Sequence, residues 1–121
     1  MKASEYRGTL REHDIQKTVL AHLGLFGKDN VFAFAIPNAG WRPGAIGSRM
    51  KAEGLTAGVA DLAIMLPAGK VAWLELKARR GRQSEAQKAF EAVCHQLGHP
   101  YAMARGLDEA IDVLKGWGAL K

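Results

Sequence analysis

The sequence predicts an α/β domain in which a mixed central sheet is flanked by helices on both sides. Three observations carry this. Two strongly apolar runs joined by a Pro-Ala-Gly turn lie between Gly58 and Lys77, a shorter apolar run stands on each side of them, and helical periodicity separates these runs. The order reads α, β, loop, β, β, α, β, α. With 121 residues there is room for one core and not two, so residues 1–121 are expected to form a single domain.

Ile15, Val19 and Leu23 recur at helical spacing, which predicts a first helix from about Leu10 to His22 closed by Gly24 and Gly27. Glu12 falls on the same stripe. Two readings of it are open: Thr9-Leu-Arg-Glu12 fits a capping box, and a carboxylate on the core-facing stripe could also serve a metal. Val31 to Ile36 reads as a strand. From Pro37 to Thr56 the chain is polar and glycine-rich, with one short helix expected from Ala45 to Glu53. Asn38, Trp41, Arg42, Arg49 and Lys51 lie here, and cations with an interleaved aromatic suit phosphate contact and base stacking. A solvated loop anchored by Trp41 accounts for the same residues.

The stretch GVADLAIMLPAGKVAWLELK is the central hairpin. Pro67 suits the first corner of a type I turn and Gly69 the left-handed position after it. If Leu66 pairs with Lys70, Asp61 falls opposite Glu75. Alternation then puts Lys77 on the same face and Leu62, Ile64, Leu66, Leu74 and Leu76 on the other, where they should pack on a helix. Charges in strands this apolar need a partner, because an unpaired buried charge is costly, and a metal ion is the obvious one.

Arg79, Arg80 and Arg82 follow directly on Lys77. A basic run is usually a solvated turn, but at the mouth of such a site phosphate binding is the better reading. Ser84 opens a helix with Ala86, Phe90, Val93 and Leu97 expected on its inner face and Gly98 as its stop, and Gln87 completes a capping box. Tyr101 to Ala104 is the last strand. Leu107, Ile111 and Leu114 mark a final helix ending near Gly116 and Trp117.

Composition excludes several classes. No apolar run approaches the roughly 20 residues of a membrane span, and the N-terminus lacks a signal-peptide core, so a cytoplasmic location is expected. Cys94 is the only cysteine and reads as a small buried hydrophobe. His13, His22, His95 and His99 show no zinc-ligand spacing, and phosphate-cradling glycine loops and serine-triad motifs are absent. The net charge of +5 favours a polyanionic partner such as nucleic acid.

Two carboxylates and a lysine converging on a hairpin resemble the PD-(D/E)xK nuclease site. Along the whole chain the sequence resembles a stand-alone VRR-NUC domain, the virus-type replication and repair nuclease branch of that group. E-H-D-I-Q (Glu12 to Gln16), P-N-A-G-W-R (Pro37 to Arg42) and K-A-E-G-L-T-A-G-V-A-D-L (Lys51 to Leu62) carry the likeness, completed by E-L-K (Glu75 to Lys77) and S-E-A-Q (Ser84 to Gln87). The resemblance implies a restriction-endonuclease-like core, αβββαβ plus a C-terminal helix, and a divalent-metal-dependent DNA endonuclease. In it Glu12, Asp61 and Glu75 would hold Mg2+ or Mn2+ with the backbone carbonyl of Leu76, Lys77 would sit beside the attacking water, and Gln87 would support the site. Small stand-alone members it resembles dimerise and act on branched DNA such as four-way (Holliday) junctions, which implies a homodimer with branched duplex as partner and no organic cofactor. Ala60 stands where the family has proline, and Ala39 lies inside the P-N-x-G string; neither departure removes a charge.

Carboxylates suit hard ions such as magnesium and manganese better than histidine or cysteine. Whether Lys77 orients water or stabilises the transition state is open at this point, as is the number of metals. Two other readings compete. One is a degenerate nuclease fold that grips DNA without cutting, which leaves little reason to keep carboxylates that repel phosphate. The other makes Glu75 and Lys77 a surface ion pair on an edge strand, which leaves Asp61 and the arginines unexplained.

Overall fold

The computed structural model describes residues 11–37 and 44–121. Among these residues the chain runs α1 (Glu12–Phe26), β1 (Phe32–Ala35), α2 (Gly44–Ala52), β2 (Leu62–Leu66), β3 (Lys70–Lys77), α3 (Glu85–Leu97), β4 (Tyr101–Arg105) and α4 (Gly106–Gly116). The strands form one sheet in the order β1-β2-β3-β4. The first three are antiparallel. β4 is parallel to β3, which requires a crossover, and α3 supplies it.

The central hairpin has the expected register: Leu66 pairs with Lys70 and Leu62 with Leu74, so the residue before β2, Asp61, comes opposite Glu75. The corner differs from a type I turn. Within the three-residue loop 67–69 both Ala68 (φ +66°) and Gly69 (φ +75°) are left-handed, where a type I turn would need only Gly69 to be so. A left-handed alanine costs about 1–2 kcal/mol, which the extended ladder on either side of the turn offsets.

Side-chain alternation along β2 and β3 then divides the core. Leu62, Ile64, Leu74 and Leu76 are buried on one face against Ile15 and Val19 of α1 and Leu107, Ala110 and Leu114 of α4. On the other face Ala60, Cys94 and Tyr101 form a smaller cluster with Trp73, Phe90 and Met103, which seats α3. Helices thus cover both sides of the sheet, and Cys94 is buried as expected.

Three expectations are corrected. α1 continues past His22 and through Gly24 to Phe26, because Leu23 packs on the core and a helical glycine costs only about 1 kcal/mol. Gly27 is the C-cap, its N–H bonded to the Leu23 carbonyl at 2.8 Å. The N-cap is Arg11, with no side-chain cap bond, so Glu12 is the first helical residue and does not occupy the third position a capping box needs; Thr9 lies outside the described residues. On α3, Val93 (48% exposed) and Leu97 (66%) face outward. The buried stripe instead runs through Phe90 and Cys94, one turn apart, toward Trp73 and Tyr101.

Candidate active site

Asp61 is fixed by main chain on two sides. Its carbonyl accepts the Ile36 N–H at 2.8 Å, and its Oδ2 accepts the Leu76 N–H at 2.7 Å. Three residues earlier, Gly58 (φ +85°) lies so close to the first turn of α3 that a Cβ there would collide with the Ala86 carbonyl. This close approach sets where the chain enters β2 and therefore where Asp61 stands.

Glu75 is 1% exposed, on an interior strand beneath Asp61. Burial pushes its carboxyl from 4.5 up to about 9, and a hydrogen bond that the protonated carboxyl donates to the Asp61 side chain and the charge of Asp61 push the same way, with Lys77 opposing. Glu75 is therefore neutral at pH 7. Its Oε2 is buried without a hydrogen-bond partner, an arrangement that normally costs 1–3 kcal/mol or so. Lys77 is also buried, at 7% exposure, and its Nζ lies 3.8 Å from Oε1 of Glu12, whose side chain is half exposed. The surface ion-pair reading of Glu75 and Lys77 fails on both counts: the strand is not an edge, and the partner of Lys77 is Glu12.

Glu12 and Asp61 line one open cleft of about 470 Å³, together with Arg11, His13, Gln16 and Ala78. Among the described residues no three His, Cys, Asp or Glu side chains converge closely enough to hold a metal ion. Asp61 and Glu75 meet, and Glu12 stands beside Lys77. The donor set nevertheless fits a hard cation, since two carboxyl groups in contact and one orphaned oxygen lack only a positive charge.

No protein-family profile matches the sequence, and no curated protein matches it. Solved structures do match the fold. One, described as a VRR_NUC domain, aligns over 88% of this chain and 96% of its own with a TM-score of 0.62 at 13% identity. Another, a VRR_NUC domain protein, aligns over 88% of this chain and 86% of its own with a TM-score of 0.67 at 20% identity. The chain has the VRR-NUC fold. Its mixed sheet with helices on both faces is the restriction-endonuclease-like arrangement expected from the sequence.

On the VRR-NUC fold the remaining site residues fall as follows. Gln87 is in the capping box of α3, its N–H donating to Ser84 Oγ at 3.1 Å and its Oε1 accepting from the Ser84 N–H at 2.8 Å. Arg79, Arg80 and Arg82 are exposed on the turn after β3. That turn adjoins the site, because a Cβ on Gly81 would stand 3.2 Å from Lys77 Cβ and 3.3 Å from Glu12 Oε1. On α2, Lys51 is exposed and Arg49 pairs with Glu53 at 3.1 Å. Asn38, Trp41 and Arg42 lie outside the described residues. Sequence reading missed Arg11, His13 and Gln16 in the cleft. Gln16 could have been found, being one helical turn after Glu12, and His13 stands in the same E-H-D-I-Q string; Arg11 carried no signal.

Proposed function

We propose that this chain is a VRR-NUC family nuclease that hydrolyses phosphodiester bonds in DNA with the help of a divalent cation. The observation that carries the reading is the buried Glu75–Asp61 carboxyl pair with its orphaned Oε2, beside Lys77. Mg2+ or Mn2+ would be held by Asp61 and Glu75, with Glu12 and the Leu76 carbonyl as further ligands. Such an ion, when bound, supplies Lewis acidity at the scissile phosphate.

The chain's own groups do the rest. The Leu76 N–H fixes the Asp61 carboxylate. Lys77, held toward the cleft by Glu12, puts an ammonium where an attacking water and a phosphate oxygen would meet. Gln87 keeps the first turn of α3 in place against Gly58, and so supports Asp61 at one remove. Arg79, Arg80 and Arg82, with Arg49 and Lys51 and with Asn38 and Arg42, which precede α2 in the sequence, are the phosphate-contacting groups. The resemblance of the sequence to small stand-alone members supports branched DNA such as a four-way junction as substrate and a homodimer as the acting form, a symmetric pair suiting a symmetric junction.

A second reading, a nuclease-fold module that binds DNA without cutting, draws on the lack of a convergent carboxylate triad among the described residues. Incubating a labelled four-way junction, linear duplex and single strand with the protein in Mg2+, Mn2+ or EDTA separates the two. Metal-dependent nicking of the junction by wild type and not by Glu75→Ala is expected. Binding of all three DNAs with no cut in either metal favours the module.

A further inference from the structure

We propose that Arg105 and Gln83 are positioning residues that hold the arginine turn at the mouth of the site, so that Arg79, Arg80 and Arg82 meet the DNA backbone already in place. The inference rests on the DNA-binding part of the function proposed above.

The turn joins β3 to α3 over residues 78–84 and is tied at several points. The Gly81 N–H donates to the Ala78 carbonyl at 2.9 Å, closing the turn on itself. Arg105 Nε donates to the Gly81 carbonyl at 3.2 Å. Arg105 ends β4, where it is the register partner of Lys77, so the tether runs from the strand beside the catalytic lysine to the tip of the turn. Gln83 provides the second anchor, its Nε2 donating to Tyr101 Oη and to Glu91 Oε1, both at 3.0 Å. Glu91 is held in turn by His95 Nε2 at 3.2 Å, and Tyr101 belongs to the buried cluster under α3.

Between these anchors the three arginines are exposed, and among the described residues none forms an ion pair with a carboxylate. Three like charges within four positions repel one another and favour an open, fluctuating connection. Two side-chain anchors oppose that tendency, Arg105 of β4 reaching onto the turn and Gln83 reaching from the turn to Glu91 of α3 and Tyr101 of β4. Drift of the tip would open the close approach at Gly81, where a Cβ would stand 3.2 Å from Lys77 Cβ and 3.3 Å from Glu12 Oε1. A tether serving stability alone would have no reason to end on the turn that carries the cations. Ordering interface side chains before binding spares that cost at binding.

Two substitutions test this without altering net charge: Arg105→Lys, which leaves no donor at the Nε position, and Gln83→Met, which is near-isosteric and has no amide. Amide exchange of residues 78–84 and the Kd for a labelled DNA duplex are measured on the full chain, alongside the thermal midpoint. Faster exchange in the turn and a Kd weakened about fivefold in each variant, with the midpoint of Arg105→Lys within a few degrees of wild type, is the expected result. Exchange unchanged in both variants, or Kd within about twofold of wild type in both, overturns the proposal. Cleavage by wild type is followed in the same samples. Failure to cut while the variants still lose affinity counts against the nuclease and for the anchors; normal cutting with unaffected affinity does the reverse.

Discussion

The side chains of Glu75 and Asp61 are hydrogen-bonded to each other across the central hairpin, with Glu75 buried and its Oε2 left without a partner. A structural pair would be expected to satisfy its oxygens or to be replaced by apolar groups of similar size. Holding two carboxyl groups together on one shared proton is instead an arrangement suited to exchanging that proton for a cation.

The pair makes metal-free stability depend on pH. The Glu75 carboxyl is raised from 4.5 to about 9, so between those values the folded state binds more protons than the unfolded one. Its contribution is complete below about pH 4.5 and is lost as the pH rises through 9. Thermal melts in EDTA from pH 5 to 9 should therefore show a falling midpoint for wild type, and a flatter profile for Glu75→Gln, whose amide does not titrate.

Cation binding should release the shared proton. Calorimetric titration of Mn2+ at pH 7 in buffers of different ionisation enthalpy is expected to show release of about one proton per site, with affinity rising with pH. Glu75→Gln should abolish the release. Equal heats in all buffers would separate the metal from Glu75.

Gly58 is the backbone position on which the site depends. Its φ of +85° and the Ala86 carbonyl leave no place for a Cβ. Gly58→Ala is expected to lower stability by about 1–3 kcal/mol and, by shifting Asp61, to lower the cleavage rate more than Kd for DNA. Urea unfolding and single-turnover assays check the two parts separately.

Much of this architecture is legible in the sequence because it follows from local rules. Gly69 fixes the loop length, loop length fixes the hairpin register, and the register brings Asp61 opposite Glu75 even though Ala68 takes a conformation that a propensity argument would not choose for it. Helix faces are less legible. Phe90, Val93 and Leu97 have the spacing of a buried stripe, yet Val93 and Leu97 lie outside, and it is Phe90 and Cys94 that meet Trp73, Tyr101 and Met103. Glu12 illustrates the same limit from the other side. Its cap and site readings share one spacing, and the N-cap at Arg11 together with the position of Lys77 across the fold separates them.

That difference between faces is measurable. Leu74→Ala, on the fully buried face toward α1 and α4, should cost about 2–5 kcal/mol, whereas Leu97→Ser should fall within about 0.5 kcal/mol of wild type. Equal losses in urea unfolding would mean that α3 is buried along the stripe its sequence presents.

The most direct test of the central claim is the single-turnover cleavage rate of a labelled four-way junction in Mg2+ for wild type, Glu75→Gln and Lys77→Met, with Kd measured on the same DNA. The buried pair and Lys77 as the catalytic centre predict loss of cleavage by at least about a hundredfold in both variants, with Kd changed by only a few-fold. Cutting by either variant at the wild-type rate would contradict the assignment.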